Sequence, residues 1–414
     1  MRLHPIIAAL LRHKASVALI VLQIALTLAI VSNAIFLISR RIERVNRPTG
    51  AVEKGLIYIS QSWYGAPTGD DPASVEKLDA LQLTDLATLR ALPGVEGVAA
   101  STSMPLQGDI YSGNLTLNPE QKGLTVTAAY YYGDEHLRSV LGLKLIAGRD
   151  FRADEILHHT IHSNAVSPVV IVSKPVADKL FPHGDVLGQT IYQDGKPARI
   201  VGIVERLETP TTSKWGSTWD YNSVLEPVRL DGASASYAVR ALPGRTRAVM
   251  REARKALMAV DPMRVMPDTW GIQSMSEIRD KIYRADRGMA LVMGLVCLIL
   301  LLVTTAGIVG QTSFWVDQRR KQIGIRRALG ARRSDILRYF QIENFLIVTV
   351  GIVLGMVLAY GLNLLLMRHY ELPRLPLYYL PISAMALWII GQLAVLVPAI
   401  RAAAVSPMEA TRSG

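Results

Sequence analysis

The chain has 414 residues, 50% of them hydrophobic, with 45 Lys and Arg against 34 Asp and Glu and a formal charge of +11. Four stretches, 15–39, 288–316, 344–367 and 375–400, contain no Asp, Glu, Lys or Arg and run for 25, 29, 24 and 26 residues. Each exceeds the roughly 20 apolar residues with which a helix crosses a bilayer, which excludes a cytosolic enzyme and removes nucleic acid as the expected reason for the positive charge. The expected fold class is a membrane α-helical protein: four transmembrane helices, with a large α+β domain of two lobes inserted between helices 1 and 2.

Residues 1–14 precede the first span. Its 25 residues are too many for the 7–15-residue core of a cleavable signal, so an anchor is expected. Gln23 and Asn33 inside it are suited to hydrogen bonds across a helix interface. Arg40, Arg41, Arg44 and Arg47 follow and are expected to prolong the helix beyond the membrane.

Residues 40–287 then form the large domain. Gly55–Ser60 reads as a strand, 71–92 as a helix with Asp71 as N-cap and Pro72 as its first residue, and Leu92–Val98 as a turn into a second strand. A similar pattern returns late: strand-like Tyr237–Arg240, a helix over 246–259 and an extended 261–266. One α/β lobe, about 55–110 and 236–272, is therefore expected from both ends of the domain. Short strands at Asn114–Leu117, Leu124–Ala128, Pro168–Val172 and Ala198–Ile203 mark a mostly β lobe over about 111–235. Within it, His158, His159 and His162 with Asp154 and Glu155 offer metal-binding chemistry but lack a fixed further ligand, and a solvated polar loop is the expectation. Trp215 and Trp219 read as core packing, with a partner contact as the alternative. Residues 273–287 are expected to be a polar stalk helix running into the second span, 288–316.

The segment 317–343 is the densest in positive charge. It carries Arg319, Arg320, Lys321, Arg326, Arg327, Arg332, Arg333 and Arg338, whereas the loop 368–374 carries only Arg368 and Arg374. By the positive-inside bias the former is cytoplasmic, with both termini on the same side. That side then holds 13 basic and four acidic residues, and the large domain is left near neutral. Gly324 and Gly330 punctuate a helical pattern, and Ser334 is placed to cap the helix entering the third span, 344–367. A short basic helix held there suits docking in a groove of another protein; a solvated loop is the plainer reading. In the third span Gly351 and Gly355 make a small-xxx-small pair, and Gly288, Gly294, Gly307, Gly310 and Gly361 also permit close helix approach. After the fourth span, 375–400, the tail 401–414 contains Ser406, Pro407 and Glu409, spaced as a capping box. No catalytic constellation stands out, and no G-x-x-x-x-G-K-[ST] phosphate loop occurs.

Arg319 to Gly330 followed by Glu343, together with Tyr131–Asp134, Leu141–Phe151, Val172–Pro182, Gly184–Ile191, Arg199–Val204 and Pro398–Ala410 in this order, resembles the MacB/FtsX-type permease family of ABC transporters. Gln322 stands where that family often has Glu. The resemblance implies a non-catalytic permease subunit in a bacterial inner membrane, paired with a second copy or a paralogue. Cytoplasmic ABC ATPase subunits would supply ATP and Mg chemistry, and this chain would bind no cofactor or metal. It places ATPase docking on Gln322, Ile323, Gly324, Arg326, Arg327, Ala328, Leu329, Gly330, Arg332 and Arg333. A periplasmic membrane-fusion protein and an outer-membrane channel are the further partners for export of an amphiphilic substrate. The alternatives are an FtsX-like regulator of periplasmic cell-wall hydrolases and a lipoprotein-extraction permease.

Overall fold

The computed structural model describes residues 14–160, 162–163, 165–211, 219–370 and 374–404. The cap residues Ser406, Pro407 and Glu409, and Trp215, lie outside them; Trp219 is half-buried. The described residues fall into two compact units, Met1–Asn46 with Ala285–Gly414, and Arg47–Arg284.

The first unit is helical. α1 (Lys14–Val45), α6 (Met275–Gln318, whose first turns belong to the second unit), α8 (Arg333–Tyr370) and α9 (Tyr379–Ala403) are each long and apolar enough to cross a membrane. α9 begins at Tyr379 rather than 375: Pro376 donates no backbone hydrogen bond and accepts one from Tyr379 N–H at 3.1 Å, a turn that precedes the helix. α1, α8 and α9 share a core of Ile20, Ile24, Leu28, Ile347, Val348, Ile352, Leu387 and Val395. The small-residue pair decides how closely α1 and α8 approach. A Cβ on Gly351 would lie 2.8 Å from the Ile24 side chain, and one on Gly355 would lie 2.9 Å from that of Leu28. Gly307 likewise receives Gln23, whereas Gly288, Gly294, Gly310 and Gly361 face open space. With no hydrophobic drive between helices in lipid, contacts like these and buried polar bonds hold the bundle. Gln23 Nε2 donates to the Val303 carbonyl (3.2 Å), Asn33 Nδ2 to the Ala359 carbonyl (3.0 Å) and Asn344 Nδ2 to the Gly391 carbonyl (2.9 Å).

The second unit holds two sheets. In the first, β1 (Leu56–Trp63), β2 (Val95–Ala100), β11 (Ser234–Ala241) and β12 (Arg264–Val265) run in the order β12-β1-β11-β2, with β13 (Ile272–Ser274) also on β1. α2 (Pro72–Arg90) joins β1 to β2, and α5 (Thr246–Val260) joins β11 to β12, so the two β-α-β units interleave as a split pair. Asp71 caps α2 by accepting the Ser74 N–H at 3.0 Å, with Pro72 at the first helical turn. Leu86, Leu89, Val249, Ala253 and Leu257 from the helices meet Ile57, Ile59, Val98 and Val239 from the sheet. At about 1.5–3 kcal/mol per buried aliphatic side chain, this layer is the main stabilising element of the lobe. A polar lock sits inside it: Arg264 Nη1 and Nη2 donate to the two Asp85 oxygens at 2.6 Å each, and Tyr237 Oη donates to Asp85 at 2.8 Å.

The second sheet contains β3 (Tyr111–Thr116), β4 (Thr125–Gly133), β5 (Leu145–Gly148), β6 (Leu157–Thr160), β7 (Val169–Ser173), β8 (Thr190–Gln193), β9 (Lys196–Val204) and β10 (Ser223–Asp231), with α3 (Leu137–Leu141) and α4 (Lys174–Leu180) between strands. The order is β4-β3-β8-β9-β7-β10-β6, and β4 also pairs with the first half of β10. Six strands thereby close into a ring, leaving few open edges. Two expectations are corrected here. His158 and His159 are not in a loop: β6 pairs in parallel with β10, which puts the two side chains on opposite faces, while His162 is on an exposed turn. Glu155 is tied to Arg149, whose Nη1 and Nη2 donate to it at 2.8 and 2.5 Å. Gln273 and Ser274 are in β13 rather than a stalk helix, because they pair with β1. α6 starts at Met275 with a capping box in which Ser274 Oγ accepts from Glu277 N–H (3.3 Å) and Glu277 accepts from Ser274 N–H (2.8 Å).

Candidate coupling surface

Between α6 and α8 the chain folds into a nine-residue helix, α7 (Arg320–Ala328). Its end is set by Gly330, at φ +98°: Gly330 N–H donates to the Arg327 carbonyl (3.2 Å) and Ala331 N–H to the Arg326 carbonyl (3.0 Å). These two bonds are a Schellman ending, which favours glycine because its left-handed backbone carries no Cβ penalty. The next helix starts at Arg333, so Ser334 is inside it and exposed. Asp335 closes this start instead, its carboxylate accepting the Arg332 N–H at 2.9 Å.

α7 has two unlike faces. Ile323 and Gly324 are buried, Ile323 in the same core as Ile336, Phe340, Ala399 and Ala402. Gln322, Arg326, Ala328, Leu329 and Gly330 are exposed with Ile325, while Arg327 is half-buried. Leu329 is 83% exposed and Ile325 49%, one helical turn apart, with arginines on either side. Arg332 and Arg333 extend the exposed positive charge past the turn. Of the ten residues marked in the sequence, Ile323 and Gly324 therefore anchor the helix, and the others lie wholly or partly on its surface.

The anchor is completed by a pair that sequence reasoning missed. Arg319 Nη1 donates to both oxygens of Glu343, at 3.0 and 2.9 Å, and the Glu343 side chain is 2% exposed. Arg319 also lies over the Trp315 ring, 5.9 Å from its centroid, and Arg326 over the Tyr339 ring at 5.3 Å. A cavity of about 120 Å³ between them is lined by Arg319, Gln322, Ile323, Arg326, Ile336, Tyr339 and Phe340. A carboxylate at the edge of an apolar span is costly to bury without a cation, and that imbalance was the available signal.

Charged locks recur where α1 and α6 leave the spans. Within the helical unit, Arg41 donates to Asp286. Within the large unit, Arg279 holds Glu53 with Nε and Nη2 at 2.9 and 2.6 Å and also donates to the Arg47 carbonyl (3.0 Å), and Arg47 Nη1 donates to Asp220 at 2.5 Å. Glu208 sits beside Arg47 at 3.6 Å with no hydrogen bond to either carboxylate oxygen among the described residues, and burial pushes its pKa up to about 8.

Residues 16–256 match the family model of the MacB-like periplasmic core domain, and residues 294–407 that of the FtsX-like permease C-terminal region. The macrolide export ATP-binding/permease protein MacB of Neisseria gonorrhoeae is 29% identical over 269 residues, 64% of this chain and 39% of that protein. The protein of the same name in Escherichia coli O157:H7 is 28% identical over 353 residues, 84% of this chain and 51% of that protein. The chain thus spans about half or less of these relatives. The uncharacterized ABC transporter permease YknZ of Bacillus subtilis is 26% identical over 337 residues, 79% of this chain and 78% of that one. Among solved structures, the periplasmic region of MacB from Actinobacillus actinomycetemcomitans aligns with 58% of this chain and 97% of that one, at a TM-score of 0.36 and 17% identity. Four membrane-crossing helices and two family models, the first over more than half of the residues, make this a multi-pass inner-membrane protein; the chain belongs to the MacB/FtsX-type permease family of ABC transporters.

Proposed function

We propose that the chain is the permease subunit of a MacB-type transporter that turns ATP hydrolysis by a separate cytoplasmic ATPase into movement of the large domain, driving export of an amphiphilic substrate. The observation that carries this reading is the division of α7. One face is fixed to the bundle by Ile323 and the Arg319–Glu343 pair, while the other presents Ile325, Arg326 and Leu329. A helix held on one side and open on the other transmits force without being absorbed into either partner. In this reading both termini and α7 are cytoplasmic, as the Lys/Arg bias requires. A push on α7 passes into α6 and α8, and α6 continues without a break through Ala285 to Met275, its first turns being part of the large unit.

A second permease completes the unit. α6 leaves Leu291, Leu295, Leu298 and Leu302 exposed at helical spacing, 75%, 55%, 53% and 60% respectively, a stripe suited to the facing helix of a copy or paralogue. MacB is named for macrolide export in the relatives, and an export role here rests on that kinship. The test is co-purification from native membranes with Arg326→Ala and Arg327→Ala combined. Loss of the ATPase subunit and of coupled hydrolysis is expected; unchanged recovery of both would refute the docking assignment.

A further inference from the structure

We propose that Asp79, His158 and Asp231 form a divalent-cation site, with the ligand preference of zinc, that clasps α2 of the first sheet to the β6–β10 edge of the second. One ligand atom from each residue lies within 4.8 Å of the other two. The three come from α2, β6 and β10, so folding alone assembles them. His158 Nδ1 and Asp231 Oδ2 are 3.4 Å apart. That is the edge of a tetrahedron with metal–ligand bonds of about 2.0–2.2 Å, for which the geometry gives roughly 3.4 Å.

Asp231 provides an independent indication. Its side chain is fully buried, and Oδ2 accepts no hydrogen bond among the described residues, its contact with His158 Nδ1 at 3.4 Å being an ion-pair distance only. A buried carboxylate oxygen with an unused lone pair is costly unless a cation meets it. Its other oxygen, Oδ1, accepts from Gln82 Nε2 at 3.2 Å, which fixes the carboxylate's orientation as an outer partner of a metal ligand does.

Arg229 is the group that could argue against a cation. It donates to both oxygens of Asp79, at 2.7 and 3.1 Å. A carboxylate offers about four lone-pair positions, so two remain on Asp79. The charge also permits a dication: two carboxylates, one guanidinium and a neutral imidazole sum to −1. His158 is the exposed member of the trio. Asp231, Arg229 and Gln82 also line a cavity of about 500 Å³ between the two sheets, from which solvent can fill a fourth position. The imidazole and carboxylate set favours zinc over calcium or magnesium, which prefer oxygen alone. The motif was hidden in the sequence because only one of its residues belongs to the histidine-rich segment.

The experiment uses the tag-free full chain in detergent, stripped with chelator and titrated with Zn²⁺ by calorimetry, with Co²⁺ absorption as a probe of tetrahedral geometry. One equivalent per chain is expected. His158→Ala and Asp231→Asn should each lose it, Gln82→Ala should weaken it by about 10–100-fold, and His162→Ala should keep it. Asp231→Asn preserves the side-chain shape, and circular dichroism confirms folding of each variant. Absence of stoichiometric binding by the parent chain, binding that survives both ligand substitutions, or its loss in His162→Ala would overturn the site.

Discussion

Arg319 and Glu343 are joined by hydrogen bonds from one guanidinium nitrogen to both carboxylate oxygens, with the carboxylate almost wholly buried. They lie 24 residues apart, Arg319 just before α7 and Glu343 in the third turn of α8, so the pair closes the loop that α7 forms. Removing the cation takes the two-oxygen partner from a buried carboxylate. Arg319→Ala is therefore expected to lower stability by about 3–5 kcal/mol, read as reduced recovery and earlier thermal unfolding in detergent. Arg319→Met combined with Glu343→Leu should regain most of that loss, since both charges go together. Equal instability of the single and double variants would remove the pair from its anchoring role.

The contact between α1 and α8 gives a second expectation. Gly355 lies under Leu28, with no space for a side chain. Gly355→Leu should force the helices apart and destabilise the bundle by about 1–3 kcal/mol, whereas Gly361→Leu, facing open space, should be neutral. Unfolding of the two variants in detergent, measured side by side, checks this; similar losses would mean that the glycine pair does not set helix approach.

Sequence reading reached the four spans because uncharged length is a direct physical requirement, and it reached α2 because Asp71-Pro72 is a local capping signal. It also placed Gln23, Asn33, Gly351 and Gly355 at helix contacts, although at Gly294 and Gly310, which look the same in sequence, an added Cβ would meet no other described residue within 4 Å. Periodicity carries no partner information, which is why the closing of β4 on β10 and the Arg264–Asp85 lock were not legible. The division of α7 was half legible: its charge and glycines marked it, but only packing shows that Ile323 turns inward while Ile325 and Leu329 turn out.

Glu208 supplies a pH dependence. In the folded chain it keeps its proton up to about pH 8, whereas the unfolded chain releases it near 4.5. Below 4.5 both states are protonated and no penalty exists. As pH rises from 4.5 to 8 the unfolded state ionises first, so stability falls, by an amount on the order of a few kcal/mol. Glu208→Gln should flatten this part of the profile and stabilise the large domain above pH 8. Tryptophan-fluorescence unfolding across pH 4–9 measures it, and an unaltered profile in the variant would show that Glu208 is not the group responsible.

In the proposed mechanism the outward face of α7 is where the ATPase subunit docks. Its most direct test places a photoreactive side chain at position 329 in the full chain within native membranes, with position 64 in the large domain as the control, since Leu329 and Tyr64 are 83% and 73% exposed. Illumination followed by mass spectrometry should give an adduct with an ABC ATPase subunit from position 329 and none from position 64. Lipid-only adducts at 329, or the same ATPase adduct from both positions, would refute docking at the outward face of α7.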